Sequence, residues 1–336
     1  MKILLLLALS AATSLAQGPL TPPGVPAPAM KSLEQIEGRT PIESLPFTIS
    51  ASGSYYFTKN LVFTATSGNA INITASNVTL DLNGFTLSSS PGVTGNAVNI
   101  SDSLFNITVK NGCVSGNTTV TITNFPRTWS SSLGGFEIGV IGRGDNSSNI
   151  HIDNLAVNGC RRIGITASFG RVTNSTVFSN GDSGIIAWFG SVSNSTATRN
   201  GGSGIDAQSG SVTNSVANYN AYRGISVEDG TVSSSTANYN GTGIYANGGS
   251  VNNSTASYNR EKGIFGSGGS VTGSSANSNG QDGIFIVNGS ITNSSARNNS
   301  RSSGFFDISA PNSSVAFCRY GVGNTIGSSL TGNKTP

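Results

Sequence analysis

Charged residues are scarce in this chain of 336 residues: 18 Lys plus Arg and 15 Asp plus Glu make up 10% of it, against about 25% in an ordinary globular protein. A net charge of +3 gives no basic surface for phosphates, so nucleic acid is not expected as a partner. The single histidine, His151, excludes a His-rich metal site. Ala, Glu, Leu and Lys are too few for a coiled coil or helical bundle. Because 36% of the residues are hydrophobic, disorder is disfavoured, and a β-rich chain with many turns remains.

The amino-terminal segment has the features of an export signal. Lys2 precedes a short apolar run, and Ser14-Leu15-Ala16 has small residues at both cleavage-specificity positions. Residues 1–16 therefore predict a secretory signal peptide, the alternative being a retained membrane anchor. No stretch is long enough to span a bilayer, so no transmembrane segment is expected. The predicted location is extracellular, periplasmic or at the cell surface.

Three further features bear on organisation. Residues 17–38 contain five of the 11 prolines and predict a Pro-rich linker followed by a short helix, and residues 331–336 predict a tail. The three cysteines cannot all pair within one chain, and an odd count leaves open which two would form a disulfide. We interpret Cys113, Cys160 and Cys318 mainly as buried or turn thiols, with a single disulfide as the alternative.

A repeat of about 20 residues runs through the second half of the chain. Its most regular mark is a glycine followed by a large apolar residue, with steps of 20, 20, 20, 19, 20, 20 and 21. The glycines are Gly164, Gly184, Gly204, Gly224, Gly243, Gly263, Gly283 and Gly304, the last followed by Phe305. Twenty residues hold two or three short strands and no useful helix, so the copies must stack to bury a core. Constant stacking predicts parallel strands about 4.8 Å apart, wound as a right-handed coil.

Asparagine recurs at one fixed position of the repeat. The positions are Asn180, Asn200, Asn220, Asn240, Asn259, Asn279 and Asn299. On the inside of a turn, each side-chain amide can bond its copies in the neighbouring coils, which would satisfy polar groups that are otherwise buried without partners. Cys160 stands where the first coil would have this asparagine, so it is predicted to begin the ladder.

Upstream, the same pattern continues with longer coils. Segments beginning at Asn77, Asn106 and Asn149 share one motif at spacings of 29 and 43. If the longer interval contains an ordinary coil, about 23 residues are extra, which places a lateral insertion at about 117–147. The aromatic-rich stretch at about 45–65 predicts an amino-terminal cap, within a solenoid domain spanning 39–330.

These residues resemble the right-handed parallel β-helix superfamily, with the pectate-lyase-like fold. The Asn-x-x-x-Gly-Ile spacing is similar to its short repeats, and Arg39 to Ile49, with Gly53 to Tyr56 and Asn77 to Gly84, is similar to the start of exported bacterial members. The resemblance implies an all-β, single-stranded right-handed parallel β-helix. It implies no particular activity, because the fold carries lyases, hydrolases, epimerases, adhesins and structural proteins. The Gly-His-Gly motif of the polygalacturonase-like members and a dense calcium-binding carboxylate group are absent from the sequence, so no catalytic residue is carried over.

The registered coils allow outward-facing positions to be compared. Trp188, Asp206, Glu228 and Asp229 fall close together, with Asp206 and Glu228 separated by one coil and two residues, about 8 Å between Cα atoms. Carboxylates at this range can act as general acid and base on a glycosidic bond or hold calcium, while Trp188 can stack on a sugar ring. Arg223 can bind an acidic sugar or serve as a lyase base. The competing interpretation is an ordinary solvated surface.

Aromatic residues also repeat at outward positions. One predicted row is Tyr245, Phe265, Phe285 and Phe306, which would form a saccharide platform, a surface covered by the C-terminal tail, or a self-association face. A second row, Tyr219, Tyr239 and Tyr258, precedes the asparagines and predicts stacking that stabilises a turn.

The preferred hypothesis is an exported β-solenoid that binds or scaffolds polysaccharide at the cell surface, with no identified active site and no cofactor, bound calcium being the alternative. The alternatives are a polysaccharide lyase or glycoside hydrolase acting on uronic-acid-containing polymers, and a structural or self-assembling surface protein.

Overall fold

The computed structural model describes residues 38–122, 129–132, 134–144, 148–300, 304–321 and 326–331. The predictions of a signal peptide, a Pro-rich linker with a short helix, and a C-terminal tail fall almost entirely on residues outside these ranges. The repeat lies within the unit Arg39–Pro336. No helix among the described residues has the length and apolar character needed to cross a membrane.

All regular secondary structure in the described ranges is β. The strands are β1 (Thr40–Ile42), β2 (Phe47–Ile49), β3 (Gly53–Phe57), β4 (Leu61–Phe63), β5 (Ile71–Ile73), β6 (Val78–Asp81), β7 (Thr86–Ser89), β8 (Val98–Ile100), β9 (Ile107–Ser115), β10 (Thr119–Ile122), β11 (Trp129–Ser132), β12 (Val140–Arg143), β13 (Ile150–Asn158), β14 (Ile165–Ser168), β15 (Arg171–Thr173), β16 (Thr176–Phe178), β17 (Ile185–Ile186), β18 (Ser191–Ser193), β19 (Thr196–Thr198), β20 (Ile205–Asp206), β21 (Ser211–Thr213), β22 (Val216–Asn218), β23 (Arg223–Glu228), β24 (Thr231–Ser233), β25 (Thr242–Asn247), β26 (Ser250–Asn252), β27 (Ile264–Ser267), β28 (Ser270–Thr272), β29 (Ser275–Asn277), β30 (Ile284–Val287), β31 (Ser290–Thr292), β32 (Ser295–Arg297), β33 (Ile308–Ala316), β34 (Arg319–Tyr320) and β35 (Ile326–Thr331).

Each regular coil contributes a strand or bridge to three parallel sheets. The sheet that positions the candidate site joins β2, β5, β8, β12, β14, β17, β20, β23, β25, β27, β30 and β33. We call its solvent side the first face. Strands of successive coils pair at equivalent repeat positions, as in Ile185 with Ile205 and Ile205 with Ile225. This arrangement confirms the predicted all-β parallel coil.

The core is a set of stacked rows of small and branched apolar side chains. The row through Ile185, Ile205, Ile225 and Ile244 is fully buried, and Ala187 and Ala207 are buried beside it. Because strand side chains alternate between faces, each such residue points inward while its neighbour points to solvent. Full burial of an isoleucine stabilises the fold by about 1.5–3 kcal/mol, so the repeated row is a principal source of stability.

The asparagine ladder is present as predicted. Asn200 is fully buried, and its Nδ2 donates to Asn220 Oδ1 at 3.0 Å, which also accepts from the Asn200 backbone N–H at 3.1 Å. The ladder begins where the backbone N–H of Cys160 donates to Asn180 Oδ1 at 3.0 Å, which confirms the role predicted for Cys160. It ends at Asp307, whose Oδ1 accepts from Asn299 Nδ2 at 2.8 Å.

A second buried ladder, made of serines, was not anticipated. The backbone N–H of Ser195 donates to Ser215 Oγ at 3.3 Å, while Ser195 Oγ donates to its own strand at Ser193 O, 2.8 Å away. The same bonding recurs from Ser175 to Ser294. The register then places Cys318 in the next serine position.

Each corner of a coil contains a residue with positive φ. In the coil beginning at Ile185 these are Phe189 (φ 56°), Asn194 (φ 50°) and Arg199 (φ 55°). Left-handed backbone at three corners turns the chain sharply enough to close a coil in 20 residues. Asparagine tolerates this conformation better than most residues, which explains part of its abundance.

The upstream coils correct the expectation that an ordinary coil lies between Asn106 and Asn149. Ile107 pairs directly with Ile150, and Val98 pairs directly with Val140, so the interval of 43 residues contains no additional ordinary coil. Within the range 117–147, β10 and β11 instead pair antiparallel. The spacing alone could not separate a hidden coil from one long excursion.

The last coils of the solenoid correct a second expectation, the position of the final repeat. Ile284 pairs with Ile308, so Asp307 and Ile308 occupy the repeat position predicted for Gly304 and Phe305. The coil between them is longer than the preceding ones by a few residues, and the Gly-aromatic pair only imitates the repeat. Cys113, Cys160 and Cys318 are not joined in a disulfide in this structure, and Cys160 and Cys318 are buried.

Candidate functional site

The first face brings most of the predicted site residues together. Along one row, Ile186 pairs with Asp206, Asp206 with Ser226, and Ser226 with Tyr245. In the adjacent outward row, backbone hydrogen bonds place Trp188, Gln208 and Glu228 in successive coils; for example, Phe169 N donates to Trp188 O and Phe189 N to Gln208 O, both at 2.8 Å. The predicted proximity of Trp188, Asp206 and Glu228 follows from this register.

Asp206 has an unusual environment for a surface carboxyl group. The pKa of Asp206 is raised from 3.8 to about 6, mainly by burial and also by the Glu228 charge, against the opposing effects of the Trp188 indole and the Arg223 charge. Its Oδ1 is buried and has no hydrogen-bond partner among the described residues. On one side lies Ile186, which packs against a small apolar cluster of Ile138, Ile141 and Ile163. A carboxyl group with this pKa can exchange a proton near neutral pH.

The predicted calcium ligands do not converge. Within the described ranges, no three His, Cys, Asp or Glu side chains come together in a group that could hold a metal ion. Asp229 lies at a corner with φ 51°, and a Cβ at Gly248 would collide with Asp229 Oδ1, so this carboxylate is directed along the corner toward the next coil.

Arg223 is held in place by its neighbours. Its Nη1 donates to Ser226 Oγ at 3.1 Å, and its Cζ lies 3.6 Å from the Tyr245 ring centroid and 4.9 Å from that of Tyr222. A guanidinium over an aromatic ring is stabilised by the ring quadrupole. These contacts position Arg223 as a fixed positive charge beside Asp206, rather than as a mobile base.

The predicted aromatic row has three members, not four. Tyr245 pairs with Phe265 and Phe265 with Phe285, but Phe285 pairs with Ser309, so Phe306 is not part of the row. The rings are tilted by 57–59° at centroid distances of 5.4 and 5.5 Å, and all three are half-buried. They form an edge-to-face column and not a flat platform.

A lysine covers the lower part of this column. Lys262 Nζ lies 4.8 Å from the Phe265 centroid and 5.0 Å from the Phe285 centroid. Nearby, burial raises the pKa of Asp282, while the Phe306 N–H, which donates to Asp282 Oδ1 at 2.9 Å, and the Lys262 charge oppose the shift. Along the axis, Asp206 is therefore followed by two aromatic-stacked cations, Arg223 and Lys262, and then by Asp282.

Two neighbouring aromatic residues of the site are exposed. Trp188 is 41% exposed on the first face, and Phe189, at the adjacent corner, is 58% exposed. Phe189 stacks on Phe169 with centroids 4.8 Å apart and planes 10° apart. The sequence singled out Trp188 but missed this pair, although a phenylalanine recurring after 20 residues was the available signal.

A groove of about 460 Å³ lies on the same face, further toward the amino terminus. Its lining includes Asn99, Asp102 and Arg143. Asn99 pairs with Ile141, which pairs with Thr166, so the groove lies four coils from Asp206 in the same row. The Asn99 coil and the Phe285 coil are therefore about 38 Å apart along this face, with Ile141 and Ile186 of the apolar cluster between the groove and Asp206.

The other predicted aromatic ladder lies at a corner. Tyr219, Tyr239 and Tyr258 stack face to face, with centroids 4.7 and 5.1 Å apart and planes within 1° and 7° of parallel. The stacking predicted from the sequence is confirmed. Because the inner ring faces are occupied by each other, this ladder is a structural element of the turn.

Comparison with known proteins gives a fold match without a sequence match. No protein-family model matches the chain, and no curated protein sequence matches it either.

Solved structures do match over most of the chain. The A-module of Azotobacter vinelandii mannuronan C-5 epimerase AlgE4 is 14% identical with a TM-score of 0.53, covering 85% of this chain and 88% of that one. The Dettilon tailspike protein (gp208) is 15% identical with a TM-score of 0.54, covering 87% and 60%. The periplasmic alginate epimerase AlgG is 12% identical with a TM-score of 0.50, covering 84% and 77%. At these identities the likeness concerns architecture, and the chain has the fold of the right-handed parallel β-helix proteins.

Proposed function

We propose that the protein binds a polysaccharide along the first face, outside the cytoplasm. The observation that carries the proposal is the exposed indole of Trp188 beside Asp206, a half-buried carboxyl group whose Oδ1 has no partner among the described residues. Protein sites for sugars need an apolar surface for the ring and fixed polar groups for the hydroxyls. Trp188 supplies the first, and the half-buried carboxyl group of Asp206 supplies an acceptor for the second.

A polymer fits this face better than a small sugar. The polar and aromatic groups lie within about 38 Å along the axis, from the groove at Asn99 and Arg143 to Phe285. Two of the structural neighbours are, by name, epimerases of mannuronan and of alginate, and one of them is periplasmic. Both points support a polysaccharide ligand and an exported protein, and a long ligand can make several weak contacts at once.

A glycoside hydrolase is the second candidate. The raised pKa of Asp206, about 6, is the observation that favours it, because a general acid must hold its proton near the working pH. Glu228 would be the partner carboxylate, at a Cα separation of about 8 Å from Asp206. The lyase alternative needs Arg223 as a base, which the bond to Ser226 and the stacking on Tyr245 disfavour.

The test is binding and turnover with purified protein on a panel of neutral and uronic-acid-containing polymers. We expect Trp188→Ala and Asp206→Ala to weaken binding by about tenfold or more. Phe317→Ala serves as the matched control, because Phe317 is 62% exposed at a corner in a different part of the coil. Absence of binding and turnover across the panel would contradict the proposal.

Two outcomes separate the candidates. Release of reducing ends that is lost in Asp206→Asn and Glu228→Gln supports the hydrolase, whereas binding without turnover supports the binding protein. A third class, a structural or self-assembling surface protein, predicts neither activity but a mass that rises with concentration in sedimentation or scattering.

A further inference from the structure

We propose that the corner above Ser209 is a sugar-binding subsite selective for uncharged sugar residues. This inference rests on the proposed function and names the ligand class of that site. We call the space bounded by Phe189, Ser209 and Asp229 the corner notch.

The notch is a gap in a column of stacked side chains. Phe169, Phe189, Ser209 and Asp229 occupy the same corner in successive coils, because Phe189 N donates to Gln208 O at 2.8 Å, Ser209 N to Glu228 O at 2.6 Å and Asp229 N to Asn247 O at 2.8 Å. Phe169 and Phe189 fill the first two positions with parallel rings. At Ser209 the column is interrupted by a short, exposed side chain.

The dimensions of the gap fit one ring. The next column position lies about 4.8 Å beyond Phe189, and Asp229 lies about 9.6 Å beyond it. The equivalent space at the opposite corner is filled in the tyrosine ladder, where Tyr239 lies between Tyr219 and Tyr258 at 4.7 and 5.1 Å. A sugar ring over Ser209 would stack on the free face of Phe189, which is 58% exposed, as a third member of the column.

One polar side chain, that of Ser209, lies at the base of the gap. The Ser209 hydroxyl forms its floor, and the Asp229 carboxylate, directed toward Gly248, leaves the space above Ser209 open. Trp188, next to Phe189 in the chain, offers a second apolar surface on the first face. A polymer could therefore turn from the first face into the notch, with adjacent residues on Trp188 and Phe189.

The charge around the notch determines the ligand class. Asp229 and Glu228 are adjacent at its lower side, and Asp206 lies on the first face beside Trp188. The cation that faces Asp206, Arg223, is already bonded to Ser226 and stacked on Tyr245. A uronate carboxylate in the notch would be repelled by these nearby carboxyl groups, whereas a neutral sugar carries no charge for them to repel.

The test fills the gap with the side chain that the column lacks. Ser209→Phe adds a third ring at a corner where Phe169 and Phe189 already adopt positive φ, so it should fold. Ser278→Tyr is the matched control, because it extends the tyrosine ladder beyond Tyr258 at the other corner. The probes are cellohexaose, xylohexaose, mannohexaose and hexagalacturonate, measured by isothermal titration calorimetry, with thermal unfolding as the readout of folding.

We expect wild type to bind at least one neutral hexamer more tightly than hexagalacturonate. Ser209→Phe should weaken this binding by about tenfold or more without lowering Tm, and Ser278→Tyr should leave it unchanged. The double variant Glu228→Gln and Asp229→Asn should raise the affinity for hexagalacturonate relative to the neutral hexamers.

Two results overturn the inference in distinguishable ways. The notch proposal is contradicted if neutral-sugar binding depends on Trp188 but is unchanged in Ser209→Phe. It is also contradicted if the wild-type protein prefers hexagalacturonate. In both cases the proposal of polysaccharide binding stands. Failure of every probe and of the polymer panel removes the proposed function together with the notch.

Discussion

Arg223 lies over Tyr245, with its Cζ 3.6 Å from the ring centroid, and from this position it lowers the pKa of Asp206 against the effect of burial. Two coils further on, Lys262 stands in a similar relationship to Phe265 and to Asp282. Each cation is thus fixed by an aromatic ring and acts on its own carboxyl group.

The first prediction separates these two pairs. Arg223→Met removes the charge that favours ionised Asp206, so the pKa of Asp206 should rise above about 6 while that of Asp282 stays unchanged. Lys262→Met should raise the pKa of Asp282 and leave that of Asp206 unchanged. Carbon-detected NMR titration of labelled aspartates measures both, and equal shifts of both carboxyl groups in either variant would contradict the pairing.

The second prediction concerns stability and pH at Asp206. Its pKa is higher in the folded chain, about 6, than the ordinary 3.8, so the folded state binds the proton more tightly. The stability that this provides is complete below about pH 4 and is lost as pH rises through 6. Asp206→Asn should therefore raise the free energy of unfolding by about 1–3 kcal/mol at pH 7.5 and have little effect at pH 4.

Denaturant titrations at the two pH values check this, with Asp102→Asn, an exposed aspartate, as the control. A stability gain of the same size at pH 4 would show that the effect is not due to ionisation.

The third prediction concerns the buried amide ladder. Asn220 Oδ1 accepts two bonds from Asn200, and its Nδ2 donates to Ala197 O at 3.0 Å and Asn240 Oδ1 at 3.1 Å. Asn220→Ala leaves buried donors and an acceptor without partners, and should lower the free energy of unfolding by about 3 kcal/mol or more. Chemical denaturation measures the loss, and the exposed Asn247→Ala should change it by less than about 0.5 kcal/mol. Similar effects of the two substitutions would contradict a special role for the ladder.

The fourth prediction concerns the carboxyl-terminal end of the asparagine ladder. Asp307 accepts from Asn299 through Oδ1 and from the Gly321 backbone N–H through Oδ2 at 2.9 Å. Asp307→Ala should let the last coils open, so amide hydrogen exchange should accelerate across residues 284–321 and stay slow around Asn200. Uniform acceleration along the chain would instead indicate global destabilisation.

Much of the architecture could be predicted because stacking makes sequence periodicity a direct record of register. The rows at Ile205 and Asn220, and the ladder start at Cys160, follow from spacing and burial alone. The register at the last coil could not be predicted, because Gly304-Phe305 imitates the repeat three residues before Asp307-Ile308. The serine ladder was hidden by the abundance of serine elsewhere in the chain.

The candidate site was predictable only in part. Period-two alternation placed Trp188, Asp206 and Glu228 on one face, and the stacking of coils brought them together. The position of Arg223 over Tyr245 depends on side-chain rotamers, which spacing does not encode, and the notch at Ser209 is visible only as a missing member of a column.

The amide ladder has a direction. Every asparagine from Asn180 to Asn299 donates to the next coil toward the carboxyl terminus, and the final acceptor is Asp307, an aspartate that also accepts from Gly321. Any internal coil both receives and passes on the same bonds, so duplication or deletion of a whole 20-residue unit would leave the ladder closed. The chain can thus change in length by whole coils, and with it the length of the first face, while its two ends stay fixed.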